Sequence, residues 1–155
     1  MTVTWTLTLS YYSERMKRLF FVLVLAGCGD STPPPAPAPE LPFLELGAFE
    51  HKEKMALPEN VTRWNGKVVR ATGFINPGLQ VRNLSKFFLV KDRSACCFGK
   101  RPQLNHYIDV TLKGGATTDY TTDAVTVRGT LVVEERFDGD WPTGLYWMTD
   151  AEIVK

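Results

Sequence analysis

The fold is decided by the stretch 67–75, which reads KVVRATGFI. Its alternate residues, beginning at Val69, are apolar or glycine, so an extended strand there would have one apolar face. Gly73 lies inside this strand, and Gly129 has a similar position in the longer strand-like stretch 124–133. A glycine inside a strand permits the bulges and sharp coiling that small barrels need. The two stretches therefore favour a compact β-barrel.

Further strand-like stretches bring the pattern to five: 85–92, 107–112, and a C-terminal pairing segment made of 145–148 and 151–154. The continuous apolar run in 85–92 predicts burial on both of its faces. The predicted fold class is mainly β, a small OB-like five-stranded barrel. An SH3-like barrel or a small sandwich is the alternative, because the connection 113–123 is short for the helix that usually lies there in an OB fold.

A short helix is expected before the barrel. Phe43, Leu46 and Phe49 recur at helical spacing within 43–55, and Pro58 would end the helix. His51 falls on the charged side of this pattern. We interpret it as an exposed histidine rather than a metal ligand.

The N-terminal region has the layout of a secretory signal, with basic residues at 17–18 before a short apolar core at 19–25. This core is too short to span a bilayer, which takes about 20 residues. The sequence Leu-Ala-Gly-Cys that follows resembles the lipobox of bacterial lipoproteins, which predicts cleavage before Cys28 and lipidation of its thiol. The polar segment before Met16 does not fit a signal peptide, so Met16 is expected to be the true start.

The chain is therefore expected to have three parts: a leader and lipoprotein signal peptide at 1–27, a lipidated cysteine with a Pro-rich linker at 28–42, and an OB-like domain at 43–155. The proline-dense linker favours an extended tether. Gly29, rather than Asp, follows the lipidated cysteine, which predicts anchoring at the outer membrane of the bacterial cell envelope, facing the periplasm. With 18 basic against 17 acidic residues, the chain gives no electrostatic reason to expect a nucleic acid partner.

The unusual chemistry of the sequence lies in 94–106, which reads SACCFGKRPQLNH. Thiolates and imidazole are natural ligands of zinc and cuprous copper, so Cys96, Cys97 and His106 are a candidate metal site if a turn brings the thiols together. The two cysteines could instead form a strained disulfide, since they are the thiols left once Cys28 is lipidated. A catalytic thiol is a weaker third reading, because the sequence contains no Cys-x-x-Cys.

Several polar and aromatic residues are candidates for the surroundings of a site. Arg101 and Asn105 are expected in the shell of the cysteine site, where Asn105 would hydrogen-bond the loop backbone, and Asp109 is a further candidate. Four aromatic residues could line a ligand face, with core packing expected for at least half of them: Trp64, Trp141, Tyr146 and Trp147. The sequence contains no phosphate-binding loop, catalytic triad or paired-carboxylate motif, so a catalytic role is not favoured.

The chain also resembles a known family in the segments 64–69, 73–77, 87–90, 96–99 with Pro102 and Asn105, and 127–131. These segments are similar to the DUF3299 family of uncharacterised bacterial envelope proteins. The resemblance implies a secreted or lipid-anchored OB-like domain, and some members are encoded beside ABC-transporter components associated with zinc supply. Other members have a Cys-x-His arrangement where this chain has Cys96-Cys97-Phe98, so no histidine ligand is carried over to that position.

These observations predict an exported lipoprotein that acts as a binding module and assists zinc or other metal handling with an envelope transporter. Its partners would be the membrane, through the lipid, and an ABC transporter or another envelope protein. The alternative is a structural or adaptor lipoprotein with a Cys96–Cys97 disulfide. A thiol redox protein is a third possibility.

Overall fold

The structure, a computed structural model, describes residues 37–93 and 103–154. Within them, five strands close into a barrel in the order β1-β2-β3-β5-β4. The strands are β1 Lys67–Asn76, β2 Lys86–Val90, β3 Tyr107–Leu112, β4 Val125–Asp138 and β5 Trp141–Val154. β3 and β5 are parallel, whereas the other neighbouring strands are antiparallel. The predicted OB-like five-stranded barrel is confirmed.

Gly73 lies at the point where β1 changes its partner. Residues 67–73 of β1 pair with β4, and the next three residues pair with β2. A methyl group on Gly73 would come within 2.6 Å of the carbonyl oxygen of Val90, so β2 approaches β1 closely only because this position has no side chain. Gly129 lies at a register shift between β4 and β5. The prediction that these glycines serve the coiling of a small barrel is therefore consistent with both positions.

The core is formed by the inward-facing residues of all five strands and by three residues from the N-terminal segment, Leu41, Leu46 and Val61. The fully buried members include Leu46, Val61, Val69, Ala71, Leu89, Ile108, Val110, Val127, Leu131, Tyr146 and Met148. The strand β2 departs from expectation. Phe88 and Val90 both lie on the outer side of β2. Val90 is buried, but Phe88 is 37% exposed, so the predicted burial of both faces is wrong at Phe88.

The N-terminal segment forms two short helices, α1 Phe43–Leu46 and α2 Glu59–Thr62, before β1. The helix expected over 43–55 thus ends at Leu46. Tertiary contacts take the place of helical hydrogen bonds beyond that point. The carbonyl oxygen of Phe49 accepts a hydrogen bond from Asn105 Nδ2, and the backbone N–H of Lys54 donates to Glu135 Oε2. The two short helices therefore depend on the barrel for their stability.

β4 and β5 form one long hairpin, where the sequence predicted a shorter strand at 124–133 and a C-terminal pairing segment that begins only at residue 145. The two-residue turn Gly139-Asp140 joins the strands, and Gly139 has a φ of 60°, which glycine adopts readily. Trp147 secures the polar half of the hairpin, since its Nε1 donates to the carbonyl oxygen of Glu134 and its ring lies 4.4 Å from the guanidinium of Arg136. These cross-strand contacts explain how the charged residues 134–136 of β4 continue to pair with β5.

The chain reaches the barrel along the edge of β1. The backbone N–H of Arg70 donates to the carbonyl oxygen of Pro39, and the carbonyl oxygen of Arg70 accepts from Leu41. Leu41 is buried in the core. In the part of the chain that the structure describes, no helix is long and apolar enough to cross a membrane.

Candidate functional site

His106 is placed by a short 3-10 turn, Leu104–His106, that leads directly into β3. Its side chain is exposed and lies against Gly47, the residue that follows α1. A methyl group on Gly47 would lie 3.2 Å from His106 Cδ2. The missing side chain at Gly47 therefore leaves room for the imidazole on this side of the barrel.

The imidazole of His106 faces an open pocket of about 180 Å³. Among the described residues, the pocket is lined by Phe43, Leu44, Gly47, Lys91, Asp92 and His106. Asp92 comes just before the cysteine segment and His106 just after it. Both ends of the segment that carries the two cysteines therefore lie within a few residues of one pocket.

The other residues of the predicted site fall outside the described ranges. These are Cys28, Cys96, Cys97 and Arg101. Within 37–93 and 103–154, no group of three or more His, Cys, Asp or Glu side chains is arranged to hold a metal ion. A metal site at the pocket would thus need thiolates from the segment 94–102, and the predicted ligand set of Cys96, Cys97 and His106 stays a prediction.

Asn105 is the one buried polar residue of the described core, with 1% of its surface exposed. Its Nδ2 donates to the carbonyl oxygen of Phe49 at 2.7 Å, so its described partner is the segment after α1 rather than the cysteine loop. Its Oδ1 has no hydrogen-bond partner in the described part of the chain. Asn105 thus ties the N-terminal segment to the turn that carries His106.

The sequence model of the DUF3299 family, described as a protein of unknown function, matches residues 44–155. The chain belongs to the DUF3299 family. A crystal structure of a DUF3299 family protein from Pseudomonas aeruginosa is similar at 23% identity and a TM-score of 0.47, over 81% of this chain and 89% of that one. No curated protein matches the sequence.

The four aromatic residues singled out in the sequence of this DUF3299 chain lie in different surroundings. Tyr146 is buried in the core, and Trp64 packs against the core while partly exposed. Trp147 is half-buried on the outside of β5, and Trp141 at the hairpin is 75% exposed. Two of the four thus contribute to the core, and the other two lie on the outer surface of the β4–β5 hairpin.

His51 is not the exposed histidine that the sequence predicted. Its Nε2 lies 3.2 Å from Glu135 Oε1, and the two side chains are only 8% and 13% exposed. The contact is an ion pair whenever the imidazole is protonated. The partner lies in β4, far away in the sequence, so helical periodicity around His51 could not indicate it. Glu135 therefore contacts the loop after α1 with both carboxylate oxygens, and its Oε2 accepts the hydrogen bond from the Lys54 N–H.

Removal of this anchor should loosen the loop. Lys54 has a φ of 59°, a left-handed conformation that is unfavourable for a residue with a side chain, and its N–H donates to Glu135 Oε2 at 2.8 Å. Glu135→Ala should therefore speed hydrogen exchange at the Lys54 amide by about tenfold, the size expected for loss of one hydrogen bond to a charged group. Glu134→Ala is the control, because Glu134 contacts Arg136 and not this loop. Equal exchange rates in the two variants would show that Glu135 does not hold the loop.

Proposed function

We propose that this DUF3299 chain is an exported, lipid-anchored binding module that holds a zinc ion for an envelope transporter through Cys96, Cys97 and His106. One observation carries the proposal: His106 is exposed at a pocket that Asp92 also lines, and these two residues flank the segment with both cysteines. The pocket thus offers an exposed imidazole, and it is lined by one residue on each side of the cysteine segment in the sequence.

The chemistry of the donor set favours zinc. Zinc in proteins is four-coordinate and takes thiolate, imidazole and carboxylate ligands. Two thiolates and one imidazole leave a fourth position for water or for a donor from a partner. An open fourth position suits an ion that is passed on, whereas a closed four-ligand site suits a permanent structural ion. Asp92 and Lys91 add charges of both signs at the same pocket.

The anchoring part of the proposal rests on the N-terminal sequence. A lipid on Cys28 and the proline-dense tether would hold the barrel at the membrane surface of the bacterial envelope, within reach of a transporter. The described end of the tether supports this arrangement, since Pro39 and Leu41 pair with Arg70 of β1 and so fix where the tether leaves the barrel.

The metal proposal is tested on the full chain purified under anaerobic conditions. We expect about one zinc per chain by elemental analysis, complete loss of zinc in Cys96→Ser and Cys97→Ser, and affinity reduced at least about tenfold in His106→Gln. His51→Gln is the matched control, because His51 contacts Glu135 instead of the pocket. Absence of bound zinc or copper, together with no thermal shift on adding either ion, would remove the metal role.

Thiol alkylation without reductant separates this proposal from the adaptor alternative. Free ligand thiols predict that both Cys96 and Cys97 are alkylated, as measured by intact mass. Protection of both thiols until a reductant is added would favour a Cys96–Cys97 disulfide and an adaptor role.

A further inference from the structure

A second surface depression lies on the outside of the barrel and shares no described lining residue with the His106 pocket. It has a volume of about 120 Å³ and is formed by the turn after β1 together with Lys86, Phe88 and Asp109. Four register partners form a row across neighbouring strands on this side: Asn76, Phe88, Asp109 and Trp147. We call the surface made by this row and Lys86 the Asp109 face.

Asp109 is the unusual member of the row. Its side chain is half-buried, yet its carboxylate makes no hydrogen bond or ion pair with any residue in the described ranges. Burial raises the pKa of this carboxyl, and the positive charges of Lys86 and Arg136 offset only part of that increase. A carboxyl whose pKa is higher in the folded chain than in the unfolded chain destabilises the fold once pH rises above the unfolded pKa. At neutral pH, Asp109 therefore lowers the stability of the fold, as residues kept for binding often do.

The charges around Asp109 indicate which ligands fit. Lys86 and Arg136 act on the same carboxylate, so a cationic ligand would meet two positive groups for one negative group. An anionic ligand such as an oligonucleotide would meet Asp109 itself, and the guanidinium of Arg136 is already paired with the carboxylate of Glu134. A neutral molecule that both donates and accepts hydrogen bonds can use the carboxylate and the ammonium group together. Sugar hydroxyls have this property, and the apolar face of a sugar ring can pack on an aromatic side chain.

We propose that the Asp109 face binds an uncharged oligosaccharide. Asp109 accepts hydrogen bonds from ring hydroxyls, Lys86 donates to a hydroxyl oxygen, and the exposed part of Phe88 packs against a sugar ring. The Asp109 face runs along the paired strands β2 and β3. The loop 77–85 lies at the end near Lys86. The β4–β5 hairpin lies at the other end, where Tyr107 donates to the carbonyl oxygen of Thr143 at 2.7 Å.

The hairpin provides a further contact for a longer chain of sugars. Trp141 is 75% exposed near its tip. Exposed aromatic side chains at the edge of a polar surface are suited to stack on a second or third ring. Tetrasaccharides are therefore better probes than single sugars.

The test uses the full chain and three tetrasaccharides. These are β-1,4-linked N-acetylglucosamine, β-1,4-linked glucose and α-1,4-linked glucose. Titration is followed by calorimetry and by NMR shifts of β2 and β3 amides. We expect saturable binding of at least one probe, with a dissociation constant below about 1 mM. Asp109→Asn should weaken binding about tenfold, as for loss of one charge-assisted hydrogen bond, and Phe88→Ala should weaken it by a similar factor.

Matched controls lie away from the face. Asp123→Asn removes an exposed carboxylate, and Val68→Ala shortens an apolar side chain of β1 that is 43% exposed, close to the exposure of Phe88. Both should leave binding unchanged. Acidification through the raised pKa of Asp109 should weaken binding by wild type but not by Asp109→Asn, because protonation removes the charge that accepts the hydroxyls.

Stability measurements separate binding from folding. Asp109→Asn should melt at the same temperature as wild type or higher at neutral pH, because it removes a half-buried charge. Three results overturn the proposal: no saturable binding of any probe, equal binding by wild type and Asp109→Asn, or a lower melting temperature of that variant. Shifts at the Asp109 face with a trilysine peptide or an eight-residue oligothymidine, in place of the sugars, overturn it as well.

Discussion

Tyr146→Ala is expected to lower the free energy of unfolding by about 3–5 kcal/mol, the range measured when a large buried aromatic side chain is removed. Tyr146 is fully buried in the barrel, and its hydroxyl donates to the carbonyl oxygen of Leu46 at 2.8 Å. Burial raises the pKa of this phenol, so the hydroxyl keeps its proton and remains a donor. The residue thus fills the core and also holds the end of α1 on the barrel.

Tyr146→Phe separates these two roles. It keeps nearly all of the volume but leaves the carbonyl oxygen of Leu46 without its partner, which should cost about 1–3 kcal/mol. Urea unfolding followed by circular dichroism measures both variants. The control is Tyr120→Ala, at an exposed position, for which the change should stay within about 0.5 kcal/mol. A Tyr146→Phe variant as stable as wild type would show that the hydrogen bond to Leu46 contributes nothing.

The same contact links the core to the proposed zinc pocket. α1 and the residue after it provide Phe43, Leu44 and Gly47, which form one wall of the pocket beside His106. Four residues are too few for an independently stable helix. The wall is therefore positioned by Tyr146 from inside the barrel and by Asn105 from the turn that carries His106. In Tyr146→Phe, faster hydrogen exchange in α1 should accompany the loss of stability.

The strands could be predicted from the sequence because their signals are local. Alternation in β1 and β3, and the glycines at positions 73 and 129, depend on residues that are close together in the chain. The long hairpin could not be predicted in the same way, because the polar end of β4 is held by Trp147 from the opposite strand. The exposure of Phe88 depends on its neighbours in β1 and β3, and the apolar residues around it in the sequence do not indicate it.

The candidate sites likewise combine features that are local in the sequence with contacts between residues that are far apart in it. The grouping of His106 with Cys96 and Cys97 could be proposed from spacing alone, since the three residues lie within the stretch 94–106. The wall of the pocket could not, because α1 is about sixty positions earlier in the chain. Likewise Lys54 and Glu135 are 81 positions apart, and no pattern near either residue indicates their contact. The sequence indicates Asp109 only as a candidate for the shell of the cysteine site. Its half-buried position, with no hydrogen bond or ion pair to residues 37–93 or 103–154, follows from the way β2, β3 and β5 align.

Gly129→Ala is expected to lower the free energy of unfolding by about 1–3 kcal/mol through overpacking. A methyl group on Gly129 would lie 2.7 Å from Met148 Cγ, 2.9 Å from the carbonyl oxygen of Thr149 and 3.1 Å from the Cα atom of Ala151. Two of these three atoms belong to the backbone of β5, so the strands must separate at the register shift that lets the barrel close. The smaller entropy of the unfolded alanine variant, worth about 0.4–1 kcal/mol, offsets only part of this effect.

Gly47→Ala is the matched control for this substitution. Its methyl group would meet chiefly the exposed imidazole of His106, at 3.2 Å, and a side chain at the surface can move away. Its effect on the free energy of unfolding should therefore be small, within about 0.5 kcal/mol, while the zinc affinity of the pocket falls because the imidazole is displaced. If Gly129→Ala and Gly47→Ala are equally stable, the barrel accommodates a methyl group at Gly129, and the close approach of β4 and β5 there does not require glycine.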